Sequence, residues 1–335
     1  MFRTAVACAL LAATAAHANC QAGEVELIFH HDAPAMGHPK GEAANLLAEF
    51  VNSSLDGQAC MTVVAEAPGY SDATVVEGLA EGRYNMAAPA MGNLGDISAR
   101  FLVFDLPFLF RDLSVVLEYQ DSDLGRGLLT EAEDEGLLGL AFWTDGMKAM
   151  SADTPIRSPE DLQGLTVGTE NAVIERFYFD AMGAETETVP LSDLADALAT
   201  GRVDAQNTTW TNISARGLAT RHDQILDSNH GLVQYMVVTD PAFWNGLDPD
   251  LRTELELMID IVTQERNRFA FELANIAKLE ARRDGIEIDA LDPEQYFDWR
   301  LAMQSTWFEF GGAIGFDQIG AATFAGERAR EMVDR

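Results

Sequence analysis

Strand-like and helix-like segments alternate along this chain, and their order restricts the fold more than any other feature of the sequence. A first round has strands at residues 24–29, 61–65 and 85–88 and helices at 41–52 and 74–81. A second round has strands at 165–168 and 187–190 and helices at 172–181 and 191–200. This βαβαβ order is typical of parallel sheets covered by helices. It predicts an α/β fold with two lobes, and the loops after the strands are expected to face a cleft between them.

A long helical pattern follows at residues 249–284. Its apolar stripe consists of Leu251, Leu255, Met258, Ile259, Val262, Phe269, Leu273 and Ile276. At 1.5 Å per residue such a helix is about 50 Å long. We therefore predict one helix that crosses both lobes, with a coiled-coil dimer as the alternative, although the stripe drifts from a strict heptad. The predicted division is lobe I at 24–143 and 231–270, lobe II at 144–230 and 271–315, and a C-terminal segment at 316–335.

The first residues have the pattern of a cleavable export signal. A short positive start with Arg3 precedes an apolar run over residues 5–16, and Ala16-His17-Ala18 fits the small-x-small rule. We predict a signal peptide at 1–18, a mature chain that begins at Asn19, and a soluble periplasmic protein that does not insert into the membrane. A lipid anchor at Cys20 is the less favoured alternative, because the residues before it do not form a lipobox.

The exported chain keeps two cysteines, Cys20 and Cys60, and each lies shortly before a predicted strand. If these strands are parallel neighbours, both cysteines lie at the same end of the sheet. A disulfide that holds the N-terminus is then favoured over two separate thiols.

The charge of the chain excludes some classes of partner. Asp and Glu total 54 and Lys and Arg total 22, which gives a net charge of −32. Nucleic acids and anionic lipid surfaces are bound mainly through Lys and Arg, so we expect neither as a partner.

A search for catalytic and metal-binding patterns finds no convincing set. HExxH, CxxC, GxSxG and GxxxxGK[ST] do not occur. His30, His31 and His38 are close in sequence, but adjacent histidines of an extended segment point to opposite faces, which is poor geometry for a shared metal. We therefore predict no enzyme, no metal and no cofactor.

Several ordered segments resemble the solute-binding proteins of tripartite ATP-independent periplasmic (TRAP) transporters of the DctP type. The most specific is FDLPFLFRD at residues 104–112. Further agreement lies at 77–89, 139–143, 156–165, 203–206, 228–230 and 242–247. The resemblance covers nearly the whole mature chain. It implies two α/β lobes that close on one small solute and deliver it to a small and a large membrane subunit. A binding protein that feeds a signalling receptor is the alternative.

The residues that would hold the solute depart from the family pattern. The family's strand Arg, which pairs with a ligand carboxylate, falls on Gly168, a second Arg falls on Lys148, and an Asn falls on Thr208. Lys148 still offers a point charge for a carboxylate or sulfonate. Alternatively, the nearby acidic and aromatic side chains suit a neutral or cationic solute. Trp210 is a candidate ring face, whereas Trp143 is expected in the core. The predicted ligand-binding set is His31, Asp32, Tyr70, Asp72, Ala90, Met91, Lys148, Gly168, Thr169, Leu191, Thr208 and Trp210.

Overall fold

The computed structural model describes residues 20–170 and 173–333, so the predicted signal peptide at 1–18 and the start at Asn19 lie outside the described residues. The strands of this part are β1 Val25–His30, β2 Ala59–Val64, β3 Met86–Ala87, β4 Leu138–Ala152, β5 Thr166–Thr169, β6 Glu185–Thr188, β7 Ala205–Thr209, β8 Gln224–Asp227, β9 Leu232–Thr239 and β10 Glu287–Ala290. The α-helices are α1 Pro39–Ser54, α2 Val75–Ala80, α3 Leu113–Gln120, α4 Asp123–Gly127, α5 Val173–Ala181, α6 Leu194–Ala199, α7 Trp210–Ala215, α8 Pro241–Asn245, α9 Pro249–Arg283, α10 Pro293–Met303, α11 Ser305–Ile314 and α12 Phe316–Val333.

The strands form one continuous sheet with two parts. Its order is β2-β1-β3-β9-β4-β7-β5-β6, and β8 joins β4 to β10. We call β1, β2, β3 and β9 sheet I, and β5, β6, β7, β8 and β10 sheet II. Strand β4 belongs to both, because its residues up to Met147 pair with β9 and its residues from Lys148 pair with β7. The alternating order of the sequence thus does form a two-part α/β fold.

Parallel pairing places the loops as predicted. Strand β1 is parallel to β2 and β3, and β5 is parallel to β6 and β7. The carboxyl ends of parallel strands lie on one edge, so the chain after β1, β2 and β3 and the chain after β5 and β6 can meet.

The predicted disulfide is present. Cys20 is bonded to Cys60, and their Cα atoms are 5.5 Å apart. Val25 of β1 lies opposite Ala59 of β2, which brings both cysteines to the same end of the sheet. The bond therefore attaches the chain before β1 to β2.

Helix α9 packs along both parts of the sheet. Leu255 and Ile259 share a core with α1 and sheet I, whereas Ala277 and Ala281 share a core with Trp210 and sheet II. The apolar stripe is confirmed in its first half and wrong at Ile276, which is 47% exposed. Small residues, Ala270, Ala277 and Ala281, are buried there instead, because a helix that lies close to its neighbours has no room for large side chains. The residue bounds that we predict for the two lobes remain a prediction.

None of the described helices combines the length and the apolar character that crossing a bilayer requires.

Candidate functional site

A cavity of about 600 Å³ lies between the two parts of the sheet. Its lining comes from the segments that follow β1, β2, β3, β5 and β6, and from β4 and β9. The polar members of the lining are Asp32, His38, Tyr70, Ser71, Asp72, Asn93, Asp105, Lys148, Glu170, Thr188, Ser192, Arg216, Gln234 and Tyr235. The position at the carboxyl ends of parallel strands is the one that the sequence predicts.

The wall next to β1 carries a buried ion pair. Lys40 in the first turn of α1 is 1% exposed, and its Nζ lies 2.6 Å from Asp32 Oδ1. The same Nζ lies 3.8 Å from the ring centroid of Tyr235. Burial alone would lower the pKa of Lys40, but the charges of Asp32 and Asp72 outweigh it and hold this pKa above its ordinary value. The buried Lys40 therefore balances the charge of Asp32 from the protein interior, while the Asp32 side chain remains 57% exposed.

Asp72 is the buried carboxylate of the same wall. Its Oδ2 accepts hydrogen bonds from the Ala90 backbone N–H at 2.9 Å and from Asn93 Nδ2 at 3.0 Å. Its Oδ1 and the hydroxyl of Tyr70 are buried without a well-formed hydrogen bond among the described residues, and the Tyr70 hydroxyl interacts with the Asp72 carboxylate. Burial, and then the charge of Asp32, raise the pKa of the Asp72 carboxyl.

The opposite wall holds Lys148 and Glu170. Lys148 is 4% exposed, and its Nζ forms an ion pair with Glu175 of α5, which is 2% exposed. Burial opposes the charge of Lys148, but Glu175 and Asp105 hold its pKa above the ordinary value. Glu170 Oε1 accepts from Thr208 Oγ1 at 2.8 Å and from Asn212 Nδ2 at 3.3 Å. Burial raises the pKa of Glu170 to about 7, against the lowering effect of Lys148.

A polar network joins the walls at the base of the cavity. Asp145 is fully buried and accepts hydrogen bonds from Thr209, Thr211 and Tyr235. His38 Nδ1 accepts from the backbone N–H of Lys40, so its Nε2 carries the proton and donates to Asn212 Oδ1 at 3.0 Å. Burial lowers the pKa of His38, which keeps this ring neutral.

Half of the predicted ligand-binding residues lie in the cavity lining. These are Asp32, Tyr70, Asp72, Ala90, Lys148 and Leu191. Thr208 reaches the lining through its hydrogen bond to Glu170. The structure does not bring His31, Met91, Gly168, Thr169 or Trp210 into the lining.

Packing explains most of these exclusions. A Cβ at Gly168 would lie 2.8 Å from Leu194 Cδ1 and 3.3 Å from Val203 Cγ2, so this position faces the core of sheet II. Trp210 is 2% exposed and donates from Nε1 to Asp227 at 2.8 Å, away from the cavity. His31 and Met91 are fully buried in the interior, and Thr169 is buried at the end of β5. Trp143 lies in the core as predicted, stacked on Phe29.

Sequence reasoning missed His38, Asn212, Arg216, Glu175 and Tyr235. Asn212, Arg216, Glu175 and Tyr235 belong to no recognisable local pattern, and each reaches the site only through pairing of distant segments. One signal was available for His38, since it directly precedes Pro39 at a helix start and a helix-capping side chain is expected there.

Two α/β parts that share one long strand and one long helix, with a polar cavity between them, define a two-lobed solute-binding protein. The family model "Bacterial extracellular solute-binding protein, family 7" (DctP) matches residues 29–312, and the chain belongs to this family. The predicted resemblance and fold class are thereby confirmed.

Individual relatives agree over nearly their whole length. The chain is 34% identical to the C4-dicarboxylate-binding periplasmic protein DctP of Vibrio cholerae, over 97% of this chain and 98% of that protein. It is similar to the crystal structure of a TRAP periplasmic solute-binding protein of Shewanella oneidensis with bound succinate (TM-score 0.86, 31% identity, 90% of this chain and 99% of that chain). A Pseudomonas aeruginosa counterpart with bound L-malate has a TM-score of 0.81 and 30% identity, over 85% of this chain and 99% of that chain.

Proposed function

We propose that this protein is the extracytoplasmic solute receptor of a TRAP transporter. It binds one small organic solute and presents the closed form to a small and a large membrane subunit. The observation that carries the proposal is the cavity of about 600 Å³, lined from both parts of the sheet at the carboxyl ends of their strands. This volume lies within the range that is usual for small-molecule sites.

Because residues of both sheet parts line the cavity, solute binding is coupled to closure of the two walls. Asp72 and Tyr70 reach the cavity from sheet I, and Glu170 and Leu191 reach it from sheet II. A solute that touches both walls gains all its contacts only when the walls are close together. Binding therefore shifts the equilibrium toward the closed form, which the membrane subunits can recognise by shape.

The relatives support a small organic solute. The Vibrio cholerae relative is named for C4-dicarboxylate binding, and two similar structures hold succinate and L-malate. The comparisons give no support to the signalling alternative. The proposal includes export to the periplasm after cleavage before Asn19, which N-terminal sequencing of the exported protein tests directly.

Binding without conversion is the first test of the proposed function. Purified protein is screened by thermal shift against carboxylates, sulfonates, amino acids, amines and polyols. A receptor is stabilised by a narrow set of solutes, by about 2.7 kcal/mol at 100 times Kd. Chromatography must then recover the stabilising solute unchanged. A chemically converted solute would overturn the receptor assignment.

Transport is the second test. Uptake of the labelled solute is measured in proteoliposomes that contain the cognate membrane subunits, with and without this protein. Uptake that requires the protein is the expected result. Uptake that is equal without it contradicts the proposal.

A further inference from the structure

The cavity lining has more carboxylates than cations. Asp72, Asp105 and Glu170 line it, together with Asp32, whose charge is balanced by the buried Lys40, against Lys148 and Arg216. Both cations already have carboxylate partners in the protein, because Lys148 pairs with Glu175 and Arg216 Nη1 lies 2.8 Å from Glu66 Oε1. A dianionic solute would therefore enter an acidic cavity whose cations are engaged, which costs free energy at short range.

Asp72 offers an acceptor that no described residue uses in a well-formed hydrogen bond. The residue is 7% exposed, and hydrogen bonds from Ala90 and Asn93 fix its Oδ2. Its Oδ1 and the hydroxyl of Tyr70 have no well-formed hydrogen bond among the described residues, and the hydroxyl interacts with the Asp72 carboxylate itself. An unpaired buried carboxylate oxygen is costly, and a donor from the solute would remove that cost. An ammonium suits this place because it can donate to a carboxylate and to a phenol oxygen together.

Arg216 offers the complementary group on the other wall. It lies just after α7, on the sheet II side, and lines the cavity. Its Nη1 is used by Glu66, but its buried Nε has no hydrogen-bond partner among the described residues. A guanidinium N–H donates to a carboxylate oxygen of the solute without loss of its outer ion pair.

We propose that the solute of this site is a small zwitterion of the amino-acid type, held with its ammonium at Asp72 and Tyr70 and its carboxylate at Arg216. The inference rests on the proposed function and names the substrate class of the same site. It differs from the dicarboxylates that the relatives bind. The raised pKa of Asp72 agrees with it, because a bound ammonium would offset the burial and the charge of Asp32 that raise this pKa.

A four-carbon series that changes only the end groups tests the charge preference. Calorimetric titration of the full chain at pH 7.5 compares succinate, 4-aminobutanoate and 1,4-diaminobutane. L-malate, β-alanine and the proteinogenic amino acids extend the panel. We expect at least one zwitterion to bind at least tenfold more tightly than succinate, L-malate and the diamine. The inference is overturned if a dicarboxylate or the diamine binds as tightly as the best zwitterion, or if no zwitterion binds.

Matched variants test the assigned groups. Asp72→Asn removes the negative charge at nearly constant size and is expected to weaken zwitterion binding at least thirtyfold. Arg216→Met is expected to weaken it at least tenfold. Asp180→Asn changes an exposed aspartate of α5 and serves as the control. Equal affinities of Asp72→Asn and the wild type would overturn the assignment, and the panel on the wild type stays decisive if a variant fails to fold.

The two proposals fail in different ways. If succinate binds and supports uptake while zwitterions do not bind, the inference on the solute falls and the receptor function stands. If neither binding nor dependent uptake is found for any solute of the screen, the receptor function itself falls.

Discussion

At the scale of single residues, the site is a set of buried charges held by their neighbours. Lys148 and Glu175 are both nearly inaccessible and form an ion pair across β4 and α5. Removal of one partner from such a pair leaves a charge in a poorly solvating environment and is typically strongly destabilising, whereas neutralising both partners is often tolerated.

We therefore expect Lys148→Met to lower the free energy of unfolding by about 3 to 5 kcal/mol. The double variant Lys148→Met/Glu175→Gln should recover at least about 1 kcal/mol of this loss, because the uncompensated charge is gone. Urea denaturation of the wild type, both single variants and the double variant measures the coupling. Strictly additive effects would contradict the assigned pair.

Glu170 gives the stability of the protein a predictable dependence on pH. Burial raises its pKa from the ordinary 4.5 to about 7 in the folded chain. Below pH 4.5 the carboxyl is protonated in the folded and unfolded states, and its full contribution to stability is present. As the pH rises through 7, the unfolded state loses this proton more readily, so that contribution is lost.

The wild type should therefore lose about 1 to 3 kcal/mol relative to Glu170→Gln between pH 4.5 and pH 8. The amide cannot titrate but can still accept the hydrogen bond from Thr208. Parallel unfolding curves of the two proteins across this range measure the difference. A difference that stays constant with pH would contradict the raised pKa.

The sequence predicted the chemistry of single residues better than their partners. Asp32 and Asp72 follow from their places after predicted strands and Lys148 follows from the family resemblance, and all three line the cavity. Glu175, Asn212 and Arg216 were out of reach, because a contact such as His38 to Asn212 joins residues that are 174 positions apart. Gly168 was included because the family resemblance places the ligand-binding Arg there. The sequence does not show that this position faces Leu194 and Val203.

At the scale of elements, the full length of β4 was not predicted from the sequence. Its 15 residues include Thr144, Asp145 and Gly146, a polar interruption that hides a strand from pattern analysis. The structure shows a register irregularity between Thr144 and Gly146, which lets the strand change partner from β9 to β7. The end of α9 was predicted within one residue, because its pattern is long and uninterrupted.

Asn267 attaches α9 to β4 beside this irregularity. Its Oδ1 accepts from the Thr144 backbone N–H at 2.9 Å, and its Nδ2 donates to the Phe142 carbonyl at 2.9 Å. Asn267→Leu leaves both backbone groups buried and unpaired, so we expect a loss of about 2 to 4 kcal/mol. Asn275→Leu alters an exposed position of the same helix and is the control. Chemical denaturation that shows equal stability for both variants would contradict this role.

At the scale of the whole molecule, two contacts bridge the cavity from one wall to the other. His38 at the start of α1 meets Asn212 of α7, and Glu66 beyond β2 meets Arg216 beyond α7. The first is buried, and the second has an exposed Glu66. Both contacts are polar and join the two walls of the cavity directly.

The net charge of −32 makes the stability of the whole molecule depend on salt. With 54 acidic and 22 basic residues, the net electrostatic interaction among surface charges is repulsive, and this repulsion is stronger in the compact state than in the unfolded chain. Raising ionic strength from 0.01 M to 0.15 M shortens the screening length from about 30 Å to about 8 Å. We therefore expect Tm to rise by several degrees when NaCl is added over this range, with sorbitol at equal osmolality as a control that does not screen charge. A Tm that falls with NaCl would mean that attractive pairs with solvent access, such as Arg202–Glu187 and Arg216–Glu66, outweigh the repulsion.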